Sequence, residues 1–182
     1  MTIIIDDAGC GDLLLGVVIG AYRPETGEYR YDVIDVKYFQ PPRFRGKKYL
    51  EQASRITLHL LDKLKPAAGE PIQICQGYIF DKTIRDLREK YGEERVSTVR
   101  VEGKAQRYTE TAYLDEIKNL GYMPLPSREQ KRAKSFFHML NWLQRNPDKL
   151  KYAKTGWPRL ARYRFFKAQC RDFGYAERKP RH

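Results

Sequence analysis

Thr2-Ile3-Ile4-Ile5-Asp6-Asp7-Ala8-Gly9-Cys10-Gly11-Asp12 is the stretch on which the fold turns. Its β-branched run has the length and composition of a buried strand. Burial makes charge costly, so a strand that stops on two acids delivers them to a site. The Gly-x-Gly that follows lets the backbone turn tightly and lets a ligand approach the main chain. The next run, Leu13 to Tyr22, reads as a second strand. An acidic pair between two core strands is a good place to hold a divalent metal ion. On local pattern alone the pair fits a turn cap equally well, a role that acids before glycine often take.

Ile5-Asp6-Asp7-Ala8-Gly9-Cys10-Gly11 resembles the opening motif of the type 2 ribonucleases H, which read Ile-Asp-Glu-Ala-Gly-Arg-Gly after an N-terminal strand. Five of the seven positions match, Asp7 keeps the acid, and Cys10 stands where the family has Arg. The resemblance implies that Asp6 and Asp7 bind catalytic metal and that the Gly9-Cys10-Gly11 loop holds the RNA–DNA junction of a substrate. It continues more faintly. Asp35-Val36-Lys37 sits where the family has Asp-Ser-Lys, and Ile74-Cys75-Gln76-Gly77 where a strand ends in Asp-Gly. Val101-Glu102-Gly103-Lys104-Ala105-Gln106 sits where Gly-Asp-Ala-Lys opens a helix. Gln76 is an amide in the place of an acid, and the motif is absent from the last third of the chain.

Periodicity gives the element order independently. Pro24-Glu25-Thr26-Gly27 supplies a turn, and Glu28 to Phe39 alternates as a third strand, forming an antiparallel hairpin with the second. Lys47 to Leu64 is an amphipathic helix with Leu50, Ala53, Ile56, Leu60, Leu61 and Leu64 inward and His59 on its flank. Pro71 to Phe80 reads as a fourth strand, then a helix capped by Asp81 and closed by Tyr91-Gly92. Arg95 to Val101 is a fifth strand and Thr109 to Leu120 a third helix. Strand–helix–strand crossovers imply parallel pairing, and the hairpin makes the sheet mixed. The expected fold is therefore α/β: a ribonuclease H-like mixed five-stranded sheet flanked by helices, over residues 1–122.

Met123-Pro124-Leu125-Pro126 marks a boundary, after which residues 123–182 form a basic, aromatic-rich helical extension. Ser127 and Gln130 make a capping box for a helix to about Arg145, with Ala133, Phe136, Phe137, Leu140 and Leu143 inward. Trp157-Pro158 opens a last helix, Arg159 to about Asp172, before a tail over Tyr175–His182. Residues 1–122 carry 19 Lys/Arg against 19 Asp/Glu, and residues 123–182 carry 16 against 4, so the whole net charge of +12 lies in the last third. A neutral body with a basic end is the arrangement expected when one surface faces a polyanion. Cys10, Cys75 and Cys170 are odd in number and widely spaced, which predicts no disulfide partner and a reducing compartment. Acids at positions 6 and 7 are the wrong charge for a signal peptide, and no apolar stretch reaches membrane-spanning length. These features predict a cytoplasmic protein with no membrane partner.

Ligands in such a sheet gather beyond the C-terminal ends of the parallel strands, where Asp6-Asp7, Gln76 and Glu102 converge. Two Mg²⁺ or Mn²⁺ ions about 4 Å apart need several carboxylates, so Asp6, Asp7 and Glu102 are the expected catalytic and metal-binding set. Glu110, Asp115 and Glu51 are reserves on helices. Gly9, Cys10, Gly11, Lys104, Arg107, Arg162, Arg164 and Lys167 are the expected contacts to nucleic acid. Three functions follow: a metal-dependent nuclease acting on RNA–DNA hybrid or structured nucleic acid, a non-catalytic nucleic-acid-binding protein on the same scaffold, or a protein-interaction module with an acidic partner.

Overall fold

Strand β1 (Ile3–Ala8) is the hub of the molecule, pairing antiparallel with β2 (Val17–Arg23) on one side and parallel with β4 (Ile72–Cys75) on the other. The computed structural model describes residues 1–126, 128 and 130–167. Strand β3 (Glu28–Ile34) pairs antiparallel with β2, and β5 (Val96–Val99) parallel with β4, giving the order β3-β2-β1-β4-β5. Because a strand's side chains alternate, Ile3 and Ile5 enter one core while Ile4, Asp6 and Ala8 face the opposite side. Helices α1 (Lys48–Leu64) and α2 (Asp81–Tyr91) cover the first face, where Ala53, Leu60, Leu61 and Leu87 are buried against Ile3 and Ile5. Helices α3 (Lys104–Asn119) and α4 (Arg132–Arg145) cover the second, with Tyr113, Ile117, Met139 and Leu143 packed beside Ala8 and Val18. The fold is thus α/β with a mixed five-stranded sheet between helices, as the element order predicts.

Several boundaries differ from expectation, each for a local reason. The run from Leu13 is not strand until Val17. Leu13 and Leu14 are buried, and their backbone is answered by the distant segment 152–154: Leu15 N–H donates to the Tyr152 carbonyl (2.8 Å) and Lys154 N–H to that of Leu13 (2.9 Å). Strand β3 stops at Ile34 because the Asp35 carboxylate accepts the Lys37 N–H (2.8 Å) and starts a 3₁₀ turn, Val36–Phe39. Strand β4 stops at Cys75, and Tyr78–Phe80 is another 3₁₀ turn that buries Ile79 and Phe80. Asp81 lies in the first turn of α2 without capping it, while Gly92 closes that helix at positive φ as expected. Helix α3 begins at Lys104 rather than Thr109, so Lys104 and Arg107 lie within it.

The C-terminal stretch shares a core with the sheet. Phe136, Met139, Leu140, Leu143, Ala153, Leu160 and Phe166 are buried with Ala8, Leu13, Leu14, Val18 and Tyr113. The inward face of α4 is rotated from the expected one: Ser135 and Met139 are buried, whereas Ala133 and Phe137 are exposed. The helix starts at Arg132, and the Ser127 half of the expected capping box lies outside the described residues. A 3₁₀ turn, Pro158–Arg162, replaces the start of the expected last helix, and residues 164–167 are helical. The remainder of that helix, the tail over Tyr175–His182 and Cys170 also lie outside the described residues. Among the described residues there is no disulfide, and no helix is long and apolar enough to cross a membrane.

Candidate functional site

Asp6 and Asp7 lie inside β1 near its C-terminal end, not beyond it. Consecutive strand residues point to opposite faces, yet both carboxylates reach one cavity of about 290 Å³ past the strand ends. Its lining includes Asp6, Asp7, Gly9, Cys75, Glu110 and Arg132. Ligand atoms of Asp6, Asp7 and Cys75 all lie within 4.8 Å of one another. Burial, then the neighbouring charge of Asp7, pushes the Asp6 carboxyl up to about 6. Hydrogen bonds from the Asp7 N–H and the Cys75 thiol offset part of this. Asp7 is also raised by burial, against the opposing pull of the Cys10 thiol, Lys154 and Arg132. The cost of assembling two acids here is therefore real, and a cation would relieve it.

The loop after β1 is shaped by contact. Gly9 has φ of 89°, and a Cβ there would enter the ring of Tyr113, whose hydroxyl donates to the Leu14 carbonyl (3.0 Å). Gly77 sits so close to Asp7 that an added Cβ would lie 3.1 Å from its carboxylate. Cys10 is half-buried and its thiol donates to Asp7. Gly11 is exposed, with the Arg132 guanidinium its nearest neighbour. Among the predicted contacts, the Gly9-Cys10-Gly11 loop therefore does line the cavity.

Glu102 does not. It is exposed, pairs with the solvent-facing Arg100 (3.0 Å), and is absent from the cavity lining, so its expected part as third metal ligand lacks geometric support. Gln76 is likewise exposed, and its strand neighbour Cys75 takes the inward position. Glu110 reaches the cavity but is bound by Arg128, which also grips Asp12 and lies 5.0 Å over the Tyr113 ring. Glu51 and Asp115 pair with Lys48 (2.8 Å) and Lys118 (3.4 Å) on the surface and contribute nothing to the cavity. Lys104 and Arg107 are exposed on the first turns of α3, and Arg162, Arg164 and Lys167 are exposed at the C-terminal end of the described chain; none lines the cavity.

The structure adds residues that the sequence did not single out. Lys154 is fully buried, donates to the Gly9 carbonyl, and lies 5.0 Å over the Phe39 ring. Burial pulls its ammonium down to about 8, against the opposing charges of Asp12 and Asp7. Its position follows from the bridge between Leu14 and Ala153, for which no local motif exists.

The donor set fits one hard divalent cation on Asp6 and Asp7 better than two. Hard cations prefer oxygen, and the third group is a thiol pushed up to about 12 by burial and by the two carboxylates. No protein-family model, curated protein or solved structure matches the chain.

Proposed function

We propose that this protein is a Mg²⁺- or Mn²⁺-dependent hydrolase of nucleic-acid phosphodiesters on a ribonuclease H-like scaffold. The observation that carries the reading is the adjacent carboxylates of buried Asp6 and half-buried Asp7 near the end of the central strand, in a cavity lined also by Arg100 and Arg132. The element order and the mixed sheet support the scaffold, and the opening motif supports the chemistry. A cation held by Asp6 and Asp7 would supply a polarised water and positive charge at the phosphate. The chain's own residues do the rest. Arg100 and Arg132 draw the phosphate backbone to the cavity, Gly11 leaves the main chain open beside Arg132, and Lys154 fixes the loop that carries Gly9.

A second reading, a non-catalytic nucleic-acid-binding protein, is favoured by the occupied state of Glu110 and the outward Glu102. One experiment separates them. Labelled RNA–DNA hybrid, DNA with a single ribonucleotide, and branched DNA are incubated with Mg²⁺, Mn²⁺ or chelator, alongside Asp6→Asn. The hydrolase reading expects metal-dependent cleavage that Asp6→Asn abolishes while binding persists. Tight binding with no cleavage under any metal selects the second reading.

A further inference from the structure

Two further cavities open from the same corner of the acidic one, at Gly11 and Arg132. One, of about 450 Å³, is lined by Tyr78, Trp157, Pro158 and Arg159 together with Cys10. The other, of about 420 Å³, is lined by Ala133, Phe136, Phe137, Arg159 and Tyr163. Together they make a groove leading away from Asp6 and Asp7. Its walls are unusual for a solvent-facing surface: Tyr78 is 54% exposed and Phe137 48% exposed, each with only an edge contact to the core, at Tyr49 and Phe136 respectively. Phe137 packs edge-on against Phe136 and Tyr163, which fixes its ring plane. Between the two cavities the Arg159 guanidinium lies 4.4 Å over the Trp157 ring and 5.4 Å from that of Phe136.

Exposed aromatic rings alternating with arginines are the chemistry that takes unpaired nucleotides: bases stack on the rings while cations follow the phosphates. A paired base has its faces covered by its neighbours in the duplex and cannot use such a platform. Resting on the hydrolase reading, we infer that the groove is a single-strand subsite, in which unpaired bases next to the scissile phosphate stack on Tyr78 and Phe137 while Arg132 and Arg159, the latter braced on Trp157, hold their phosphates. The substrate class is then nucleic acid with an unpaired segment adjoining a duplex, rather than uninterrupted duplex. The shift of Phe137 from the expected inward face of α4 to the groove supplies part of this surface.

The test measures binding of the full chain in chelating buffer, so that it does not depend on hydrolysis. The probes are a fluorescein-labelled RNA–DNA hybrid with a short oligothymidine overhang, the blunt hybrid, and the same overhang built from abasic sites. The overhang is expected to bind more tightly than the blunt hybrid, and removal of each stacked base to weaken it by about 5- to 150-fold. Tyr78→Ala and Phe137→Ala should erase the overhang's advantage and leave the blunt hybrid's affinity as it was. Equal affinity for abasic and base-bearing overhangs overturns the subsite. Cleavage of the blunt hybrid once Mg²⁺ is restored, with such indifference to the overhang, overturns the subsite alone, whereas failure of every probe to bind in chelator and to be bound or cleaved in Mg²⁺ or Mn²⁺ removes the hydrolase reading as well.

Discussion

At the scale of single residues the site is built against stability. Asp6 is held up to about 6 by burial and by Asp7. The folded chain therefore binds a proton that the unfolded chain has released between about pH 4 and 6, and stability falls as pH rises through that window. Above the folded value the loss is complete, on the order of 2–3 kcal/mol. Asp6→Asn carries no such penalty. In chelating buffer the variant should gain that margin over wild type at pH 7 and lose most of the gain near pH 4, read by urea denaturation across the range. A constant difference between the two proteins would show that Asp6 does not titrate as its surroundings require. The two acids were legible because strand, acids and glycines are neighbours in sequence. Lys154 and Arg128 were not: they reach Gly9 and Asp12 across 145 and 116 residues, and no local pattern records such a contact.

At the scale of elements, periodicity marks all five strands and three α-helices of the sheet region but not its 3₁₀ segments, and the differences gather at element ends. Ends are decided by who answers the backbone, as where segment 152–154 takes the hydrogen bonds of Leu13 and Leu15. Phe136, Leu140 and Leu143 of the expected α4 face are buried, and Phe137 departs from it because its partner is a groove rather than the core, a difference hydrophobicity does not record. The β1 loop offers a test of what glycine is for. Gly9 combines positive φ with the Tyr113 ring beneath it, while Gly27 in the β2–β3 turn has positive φ and open space. Gly27→Ala should cost roughly 1–2 kcal/mol, the strain of a left-handed alanine. Gly9→Ala adds overpacking of about 1–3 kcal/mol to that strain, and should displace the loop and weaken divalent-ion binding. Equal costs in the two variants would mean that Tyr113 yields freely and does not set the loop.

At the scale of the molecule, a neutral first two-thirds and a basic last third share one hydrophobic core. Removing residues 123–182 to test the basic end would also remove buried Phe136, Met139, Leu140 and Leu143. At about 2–5 kcal/mol for each large core side chain, that loss is comparable with the whole stability of an ordinary domain, about 5–15 kcal/mol. The charge must therefore be tested without the core. Arg162, Arg164 and Lys167 are exposed, so neutralising all three to Gln should leave the urea midpoint unchanged. If they meet phosphates, the plot of log affinity against log salt should become shallower by about 2–3, since each phosphate contact contributes roughly 0.7–0.9 to the slope. Affinity at low salt should fall together with the slope, for blunt and overhung probes alike, because phosphate contacts carry no information about the bases. A slope that stays the same would confine phosphate recognition to the arginines nearer the cavity, Arg100, Arg132 and Arg159, and would make the remaining charge of the last third a matter of solubility.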